Sequence, residues 1–231
     1  MTIRQKLNDT VSQIPYVGEI LTAEINPKQL GMAAMAATIA LSPTAVNAGG
    51  SVEAMAGHQS TTIDTKISTE IAPRTNLFLR QMTTADYEGN VSFFGLADLS
   101  YNIVGGLDVV GEVQAAPGMG VIPRLGAQYF GQFGDFAVYA LATVKTMENP
   151  DGEFVVNLGY TPKLSENISL LANLENLTSV GEAGHNFSVQ RLRAGITVQE
   201  KYQLGLGADL TEVGNEGTLD HNLGGFAGIT F

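Results

Sequence analysis

The sequence predicts an all-β fold, an antiparallel up-and-down transmembrane β-barrel, with twelve strands as the first choice. From about residue 60 onward it is a succession of segments of roughly ten residues in which apolar and polar side chains alternate. Short turns rich in Gly, Pro, Asn and Asp separate the segments, and no helical period interrupts them. Alternation with a period of two is typical of strands whose two faces meet different surroundings, as they do in a membrane barrel.

Composition narrows the possible functions. The 231 residues include 27 Gly and no Cys, only 15% are charged, and the formal net charge is −11. Without Cys there is no disulfide framework and no Cys-based metal site, and no cofactor is predicted. The acidic excess disfavours nucleic-acid binding, because proteins that bind phosphate backbones carry positive charge. The 44% hydrophobic content argues against a disordered chain.

Residues 1–48 are predicted to be an extended signal peptide. The apolar run of residues 30–42, LGMAAMAATIALS, is shorter than the roughly twenty residues that a spanning helix needs. Val46 and Ala48 occupy the −3 and −1 positions of a small-residue cleavage site. This pattern predicts cleavage after Ala48 and a mature region of residues 49–231, which forms the barrel.

Two alternatives remain open for this leader. The small residues at 54–56, Ala-Met-Ala, form a second and less favoured cleavage site. Residues 1–29 contain an amphipathic stretch with apolar side chains at helical spacing. This stretch is expected to be discarded with the signal; the alternative is a retained helix that docks on a partner or plugs a pore.

Eleven strands are expected from the alternation alone. Clear examples are TTIDTKISTEIA from residue 61, LDVVGEVQAA from residue 107, DFAVYALATVK from residue 135 and EFVVNLGYT from residue 153. The expected strand starts are residues 62, 76, 92, 107, 121, 135, 153, 168, 186, 202 and 219. A single-chain bacterial barrel with both termini on one side needs an even number of strands. The weaker segment SVEAMAGH, residues 51–58, is therefore assigned as a twelfth strand. Ten strands are the alternative, if the region around Pro73 does not form a hairpin.

The end of the chain indicates an outer membrane. In HNLGGFAGITF, residues 221–231, apolar and small side chains share one face, and the last residue is Phe231. This ending resembles the last strand of bacterial outer-membrane proteins, in which a C-terminal aromatic residue is read by the insertion machinery. The mature region is similar in architecture to small, porin-like outer-membrane β-barrels. The resemblance implies a bacterial outer-membrane location, with the lipid bilayer, lipopolysaccharide and the insertion machinery as partners.

Two further distributions fit a membrane barrel when Phe231 is placed on the periplasmic side. Aromatic side chains of the apolar face then gather near the membrane edges, as in the girdles at bilayer interfaces. The periplasmic set is Tyr101, Tyr129, Phe136, Tyr160, Tyr202 and Phe231, and the outer set is Phe93 and Phe154. The outer turns are expected to be acidic and to carry no basic residue. Their acidic residues are Asp86, Glu88, Glu148, Asp151, Glu153, Glu182, Glu212, Glu216 and Asp220.

The polar face of each strand is expected to line the lumen. Its acidic members are Asp64, Glu70, Asp98, Asp108, Glu112, Glu175 and Asp209, and its basic members are Lys66, Arg80, Arg124, Lys145, Arg191 and Arg193. Inward glycines are expected to leave space for water, as barrels wider than eight strands can. The function predicted first is a narrow passive channel for small hydrophilic or anionic solutes. Because acids and bases nearly balance, a structural or adhesive barrel with a sealed lumen is the alternative.

Two arginines are the main candidates for a constriction. Arg191 and Arg193 lie two positions apart on one strand and therefore point the same way. With Arg124 they are expected to attract anions. The alternative is that they pair with Asp209 or Glu175 on neighbouring strands. Further lumen candidates are Arg80, Lys145, Asp98 and Glu112.

The sequence gives only weak signals for catalysis or metal binding. Barrel enzymes that act on lipids would need Ser/His or Asp/His arrangements. His185 precedes Ser188 by three positions, a spacing that sends the two side chains of a regular strand to opposite faces. No enzymatic activity is therefore predicted. Glu148, Asp151 and Glu153 lie in one turn and form a weak calcium candidate, but a solvated Pro-Asp-Gly turn explains them more simply.

Overall fold

Twelve antiparallel strands form a closed barrel in the computed structural model, which describes residues 48–147, 149–215 and 217–231. The strands are β1 (Ala48–Gly57), β2 (Ser60–Ala72), β3 (Thr75–Asp86), β4 (Val91–Val104), β5 (Leu107–Ala116), β6 (Gly120–Phe133), β7 (Phe136–Lys145), β8 (Gly152–Tyr160), β9 (Ile168–Gly181), β10 (Gly184–Val198), β11 (Tyr202–Val213) and β12 (Thr218–Thr230). Each strand pairs with its neighbours in sequence, and β1 pairs with β12 to close the ring. None of the described residues forms a helix long and apolar enough to cross a membrane. The predicted signal peptide lies outside the described residues, except for Ala48.

The predicted strand pattern and the count of twelve are confirmed. The eleven expected starts lie within two residues of the observed ones, and most of SVEAMAGH belongs to β1. The count depends on the hairpin around Pro73. There β2 ends at Ala72, β3 begins at Thr75, and Arg74 takes a positive φ of 66° in the tight turn between them. Because this hairpin forms, the ten-strand alternative is wrong.

The first and last described residues meet at one end of the barrel. The N–H of Gly50 donates to the carbonyl of Phe231, and the N–H of Phe231 donates to the carbonyl of Gly50, both at 2.9 Å. We call this end, which holds Ala48 and Phe231, the terminal end, and the opposite end the far end. Because β1 and β12 are joined, the sheet has no unpaired edge along its length.

The outer face of the barrel is apolar and exposed. Leu99, Leu125, Leu204 and Leu206 are 49 to 73% exposed and alternate with inward polar residues. Apolar surface of this kind is rarely left uncovered in proteins that live in water. The outer face therefore suits a hydrocarbon environment.

Aromatic side chains gather on the outer face at the terminal end, as predicted. Basic side chains lie over two of the rings. Arg74 Cζ is 5.3 Å from the ring centre of Tyr101, and Lys201 Nζ is 5.7 Å from that of Tyr202. Aromatic rings and basic groups of this kind are typical anchors at a membrane interface.

Most of the inward glycines pack closely, which corrects the prediction that they leave open space. A Cβ atom at Gly224 would lie 1.9 Å from the carbonyl oxygen of Ala56, and one at Gly205 would lie 2.8 Å from the ring of Phe226. Phe226 and Met55 are 2% and 0% exposed. These glycines therefore make room for neighbouring backbone and side chains, and part of the barrel interior is filled with apolar groups.

Candidate functional site

The candidate site is the lumen, and the nine predicted strand residues all occupy inward positions. They are Arg80 on β3, Asp98 on β4, Glu112 on β5, Arg124 on β6, Lys145 on β7, Glu175 on β9, Arg191 and Arg193 on β10, and Asp209 on β11. Cross-strand pairs connect several of them: Arg191 stands opposite Glu175 and Asp209, and Arg124 stands opposite Glu112 and Lys145. The structure combines these side chains into three clusters.

The first cluster, which we call the central bridge, joins opposite walls of the barrel. It consists of Asp64, Lys66, Arg80, Glu175 and Arg191. Arg80 Nη2 lies 2.6 Å from Asp64 Oδ2 and 2.9 Å from Glu175 Oε1. Arg191 Nη1 lies 2.5 Å from Glu175 Oε1, and Lys66 Nζ lies 3.5 Å from Glu175 Oε2. Because β3 and β9 stand six positions apart in the ring of twelve strands, the ion pair between Arg80 and Glu175 crosses the lumen.

The second cluster, which we call the Arg193 cluster, consists of Arg193, Glu53 and Asp209. Arg193 Nε lies 2.7 Å from Glu53 Oε1, and Nη1 lies 2.7 Å from Asp209 Oδ1. The guanidinium carbon also lies 5.8 Å from the ring centre of Phe226. Glu53 is a lumen residue outside the predicted set, although its alternation with apolar neighbours in β1 places it there. Two carboxylates thus neutralise Arg193.

The third cluster, which we call the Arg124 cluster, consists of Glu112, Gln114, Arg124, Asp151 and Glu153. Arg124 Nη1 lies 2.6 Å from Asp151 Oδ1 and 3.3 Å from Glu153 Oε1, and Nε lies 3.6 Å from Glu112 Oε1. Gln114 Nε2 donates to Glu112 at 2.8 Å and to Glu153 at 2.7 Å. The side chain of Arg124 is only 1% exposed. One buried guanidinium therefore lies within ion-pair distance of three carboxylates.

Asp98 adds a further buried carboxylate beside this cluster. It is 3% exposed and stands opposite Glu112 across β4 and β5. Its Oδ1 atom accepts no hydrogen bond from the described residues. The wall formed by β4 to β8 is therefore richer in acid than in base.

Asp151 and Glu153 do not form an exposed acidic turn, which corrects the prediction for both. Glu153 lies within β8, is 8% exposed and contacts Arg124 and Gln114 inside the barrel. Asp151 turns inward to Arg124. Glu148, the third calcium candidate, lies outside the described residues. Across the described parts of the chain, no group of three or more potential metal-ligating side chains occurs, and Arg124 occupies the carboxylates that would be needed.

The lumen is more acidic than the predicted balance of seven carboxylates and six cations. With Glu53 and Glu153 added, and without the rim residues Asp86 and Asp220, the lumen carries nine carboxylates against six cations, a formal net charge of −3. Each arginine of the lumen lies within ion-pair distance of a carboxylate. The positive charges of Arg191, Arg193 and Arg124, the predicted anion-attracting group, are therefore neutralised locally. For Arg191 and Arg193 this is the pairing that the sequence left open as an alternative.

A cavity of about 380 Å³ lies between the central bridge and the terminal end. The amide side chains of Asn157, Asn173 and Gln203 contribute to its wall. Lys66 and Arg193 mark the inner limit of the cavity. Phe78 and Leu171 add apolar groups to this mainly polar set of side chains. The space is large enough for several water molecules or a small hydrophilic solute.

One carboxylate organises the turn between β3 and β4 at the far end. Asn90 Nδ2 donates to Asp86 Oδ2 at 2.7 Å, and the backbone N–H groups of Asn90 and Glu88 donate to Asp86 Oδ1 at 2.7 and 3.0 Å. The side chain of Asn90, followed by its backbone N–H, lowers the pKa of Asp86 below its usual value. This turn therefore keeps a negative charge at the far rim at neutral pH.

His185 and Ser188 lie on the same face of the barrel, so the prediction that they face opposite sides is wrong. The pairing of β9 with β10 shifts register between His185 and Phe187, which places one extra residue in β10. His185 Nε2 lies 2.8 Å from Ser188 Oγ, and His185 Nδ1 lies 2.9 Å from the carbonyl oxygen of Gly214. A β-bulge breaks the two-residue period, and the hydrophobic pattern did not mark its position.

Comparison with known proteins supports the fold. No family model and no curated protein matches the chain. The solved structure of the NanC porin matches 80% of this chain and 98% of its own, with a TM-score of 0.50 and 8% identity. The KdgM porin matches 79% and 98%, with a TM-score of 0.48 and 9% identity. The β domain of the Bordetella autotransporter Brka matches 80% and 98%, with a TM-score of 0.41 and 10% identity. The chain therefore has a porin-like architecture, a closed antiparallel β-barrel.

Proposed function

We propose that this protein is a passive channel of the bacterial outer membrane for small hydrophilic solutes. The observation that carries the proposal is the cavity of about 380 Å³, with amide and charged side chains in its wall, inside a closed barrel with an apolar exterior. A barrel that served only as a membrane anchor would not need polar amide groups around a water-sized space. The cavity ends at the central bridge, which is the proposed constriction.

The constriction limits the size of the solute. Arg80 and Glu175 meet from opposite walls, and their side chains are 10% and 7% exposed. A solute that passes this level must slip beside the ion pairs or displace them transiently. We therefore expect a low conductance and passage of ions and very small polar molecules.

The charge of the lumen favours cations over the anions expected from the sequence. The arginines of the central bridge and of the Arg193 cluster are paired with carboxylates, whereas Asp98 on the opposite wall has no basic partner within ion-pair distance among the described residues. An excess of carboxylates along a pore favours cations. Neutral solutes and small cations are therefore the proposed cargo.

The terminal end is proposed to face the periplasm. Phe231 lies there with the aromatic residues of the outer face, consistent with a C-terminal signal for the insertion machinery. The acidic residues that remain at the far end, such as Asp86 and Glu182, would then face lipopolysaccharide, whose phosphates divalent cations can bridge to carboxylates. Residues 1–48 are proposed to be removed as a signal peptide.

Single-channel recording in planar lipid bilayers tests the proposed function. Folded mature protein in symmetric KCl should give discrete steps of low conductance. In a KCl gradient, the reversal potential should have the sign expected for a pore that passes potassium more readily than chloride. A folded protein that gives no steps would contradict the channel.

A sealed structural barrel is the second candidate, and a specific observation favours it. Met55 and Phe226 fill one side of the interior, while the central bridge ties the walls together. In this case the ion pairs would serve to hold the barrel closed. Absence of conductance, together with intact folding, would favour this function over the channel.

A further inference from the structure

We propose that Ser188 and His185 form a catalytic dyad on the outer face of the barrel, which hydrolyses acyl esters of membrane lipids. Ser188 shares its strand face with Leu192, which is 41% exposed, whereas Arg191 and Arg193 alternate with them and point into the lumen. The dyad therefore lies on the opposite side of the barrel wall from the proposed channel. Its activity does not depend on an open lumen.

The hydrogen bonds fix the direction of proton transfer. The carbonyl oxygen of Gly214 can only accept, so the contact of 2.9 Å requires that His185 Nδ1 carries a proton. In the neutral imidazole, Nε2 is then an acceptor. At 2.8 Å, Ser188 Oγ must donate its proton to His185 Nε2. A hydroxyl that donates to an oriented imidazole is the arrangement of an activated serine nucleophile.

The contacts of Ser188 with Thr178 also indicate that Ser188 donates its proton to His185. Asn176 Nδ2 donates to Thr178 Oγ1 at 3.2 Å, which leaves the hydroxyl proton of Thr178 free to point to Ser188 Oγ at 3.0 Å. Ser188 accepts this bond while it donates its own proton to His185. Ser188 is 8% exposed, so the chain of hydrogen bonds lies in surroundings with little water.

The position of the dyad fits the ester groups of lipids. Ser188 lies four residues from the end of β10 at the far end, and the outward apolar residues of this strand begin at Leu192. At about 3.3 Å per residue, Ser188 lies roughly 13 Å from Leu192 along the strand. Acyl esters of lipids occupy the boundary between headgroups and hydrocarbon. Gln190, two positions from Ser188 on the same face, provides an amide that can donate to the developing oxyanion.

The reaction balances without a cofactor. Ser188 Oγ attacks the carbonyl carbon of the ester, and its proton passes to His185 Nε2. The bond to the alcohol oxygen then breaks, and this oxygen takes the proton from Nε2, which leaves an acyl group on Ser188. A water molecule attacks this acyl group and gives one proton to Nε2. That proton passes to Ser188 Oγ as the fatty acid leaves.

Two readouts on the folded full chain test the dyad. A fluorophosphonate probe should label Ser188, as located by mass spectrometry of the labelled peptide. Mixed micelles of phosphatidylethanolamine and phosphatidylglycerol should release fatty acid. Both Ser188→Ala and His185→Gln should lower this release by at least about 10²-fold, in the range typical of a lost nucleophile or general base. His221→Gln, on the outer face of β12, is the matched histidine control and should keep both activities.

The outcomes separate this proposal from a structural role and from the channel. Heat-dependent migration on gels shows which variants retain the folded barrel. An unlabelled Ser188 in folded wild-type protein would overturn the dyad, and so would undiminished labelling in His185→Gln. Labelling without release of fatty acid would overturn the lipid substrate. Ser188→Ala should keep any single-channel conductance, so a failure of the dyad is distinguishable from a failure of the channel.

Discussion

Glu175 is the residue on which the central bridge depends. Its two oxygen atoms contact Arg80, Arg191 and Lys66. Glu175→Gln keeps the shape of the side chain but leaves three cations with less counter-charge. A unit charge about 5 Å from an ion in water changes the energy of that ion by about 0.8 kcal/mol. Because the loss of a negative charge favours chloride and disfavours potassium by this amount each, the ratio of their permeabilities changes by roughly 16-fold. We expect the ratio of chloride to potassium permeability to rise by about this factor, measured from reversal potentials.

The matched control for this change is Glu200→Gln at the terminal end. Glu200 pairs with Lys163 at 2.8 Å, but both side chains are largely exposed and lie outside the lumen. Salt and water screen such a pair. The selectivity of this variant should equal that of the wild type. An equal shift in both variants would show that the effect does not arise at the central bridge.

Gly224 and Gly225 provide a pair of adjacent tests for packing inside and outside the barrel. A Cβ atom at Gly224 would lie 1.9 Å from the carbonyl oxygen of Ala56, whereas one at Gly225 would be 3.6 Å from its nearest neighbour, the carbonyl oxygen of Gly205. Gly224→Ala should lower the free energy of unfolding by about 1–3 kcal/mol, the usual cost of overpacking. Gly225→Ala should be tolerated. Urea unfolding followed by gel migration measures both, and equal midpoints would contradict the close packing.

At the scale of strands, the sequence contained most of the fold because each strand alternates between an apolar and a polar environment. This period placed all eleven expected strand starts within two residues, since a slip by one would send the apolar face inward. It failed at His185, where a bulge adds a residue. At Glu153 the period itself was right, because the residue next to outward Phe154 must point inward, and the assignment of Glu153 to an exposed turn was the error. The period also could not show that Arg80 reaches Glu175, because that contact depends on closure of the ring.

The contacts of β1 favour one of the two predicted cleavage sites over the other. Cleavage after Ala48 leaves nearly all of β1, including Gly50, which exchanges two hydrogen bonds with Phe231. Cleavage after Ala56 would remove Met55, which is fully buried, and would leave β2 and β12 with unpaired edges. We therefore expect the mature protein to begin at Gly49. Intact-mass measurement of protein from outer membranes checks this, and a chain that begins at Met1 or Gly57 would refute it.

At the scale of the whole molecule, charge is distributed unevenly around the lumen. The side built from β1, β2, β3 and β9 to β11 balances its acids and bases through the central bridge and the Arg193 cluster. The side built from β4 to β8 holds the Arg124 cluster and Asp98, where carboxylates outnumber cations. The low charge content of the chain thus reflects an exterior that is almost entirely uncharged, and its acidity is shared between the far rim and one wall of the lumen.

The width of the lumen can be tested separately from its charge. The double variant Arg80→Ala with Glu175→Ala removes one positive and one negative group, so the net charge of the lumen stays at −3 while the span across it disappears. If the central bridge is the narrowest point, single-channel conductance should rise about twofold or more, because pore conductance increases with cross-section. The removal of a pair at the exposed rim, Lys163→Ala with Glu200→Ala, should leave conductance unchanged. If the folded double variant has wild-type conductance, the narrowest point of the pore lies elsewhere. If it gives no conductance, the barrel is sealed by the apolar side chains of Met55 and Phe226.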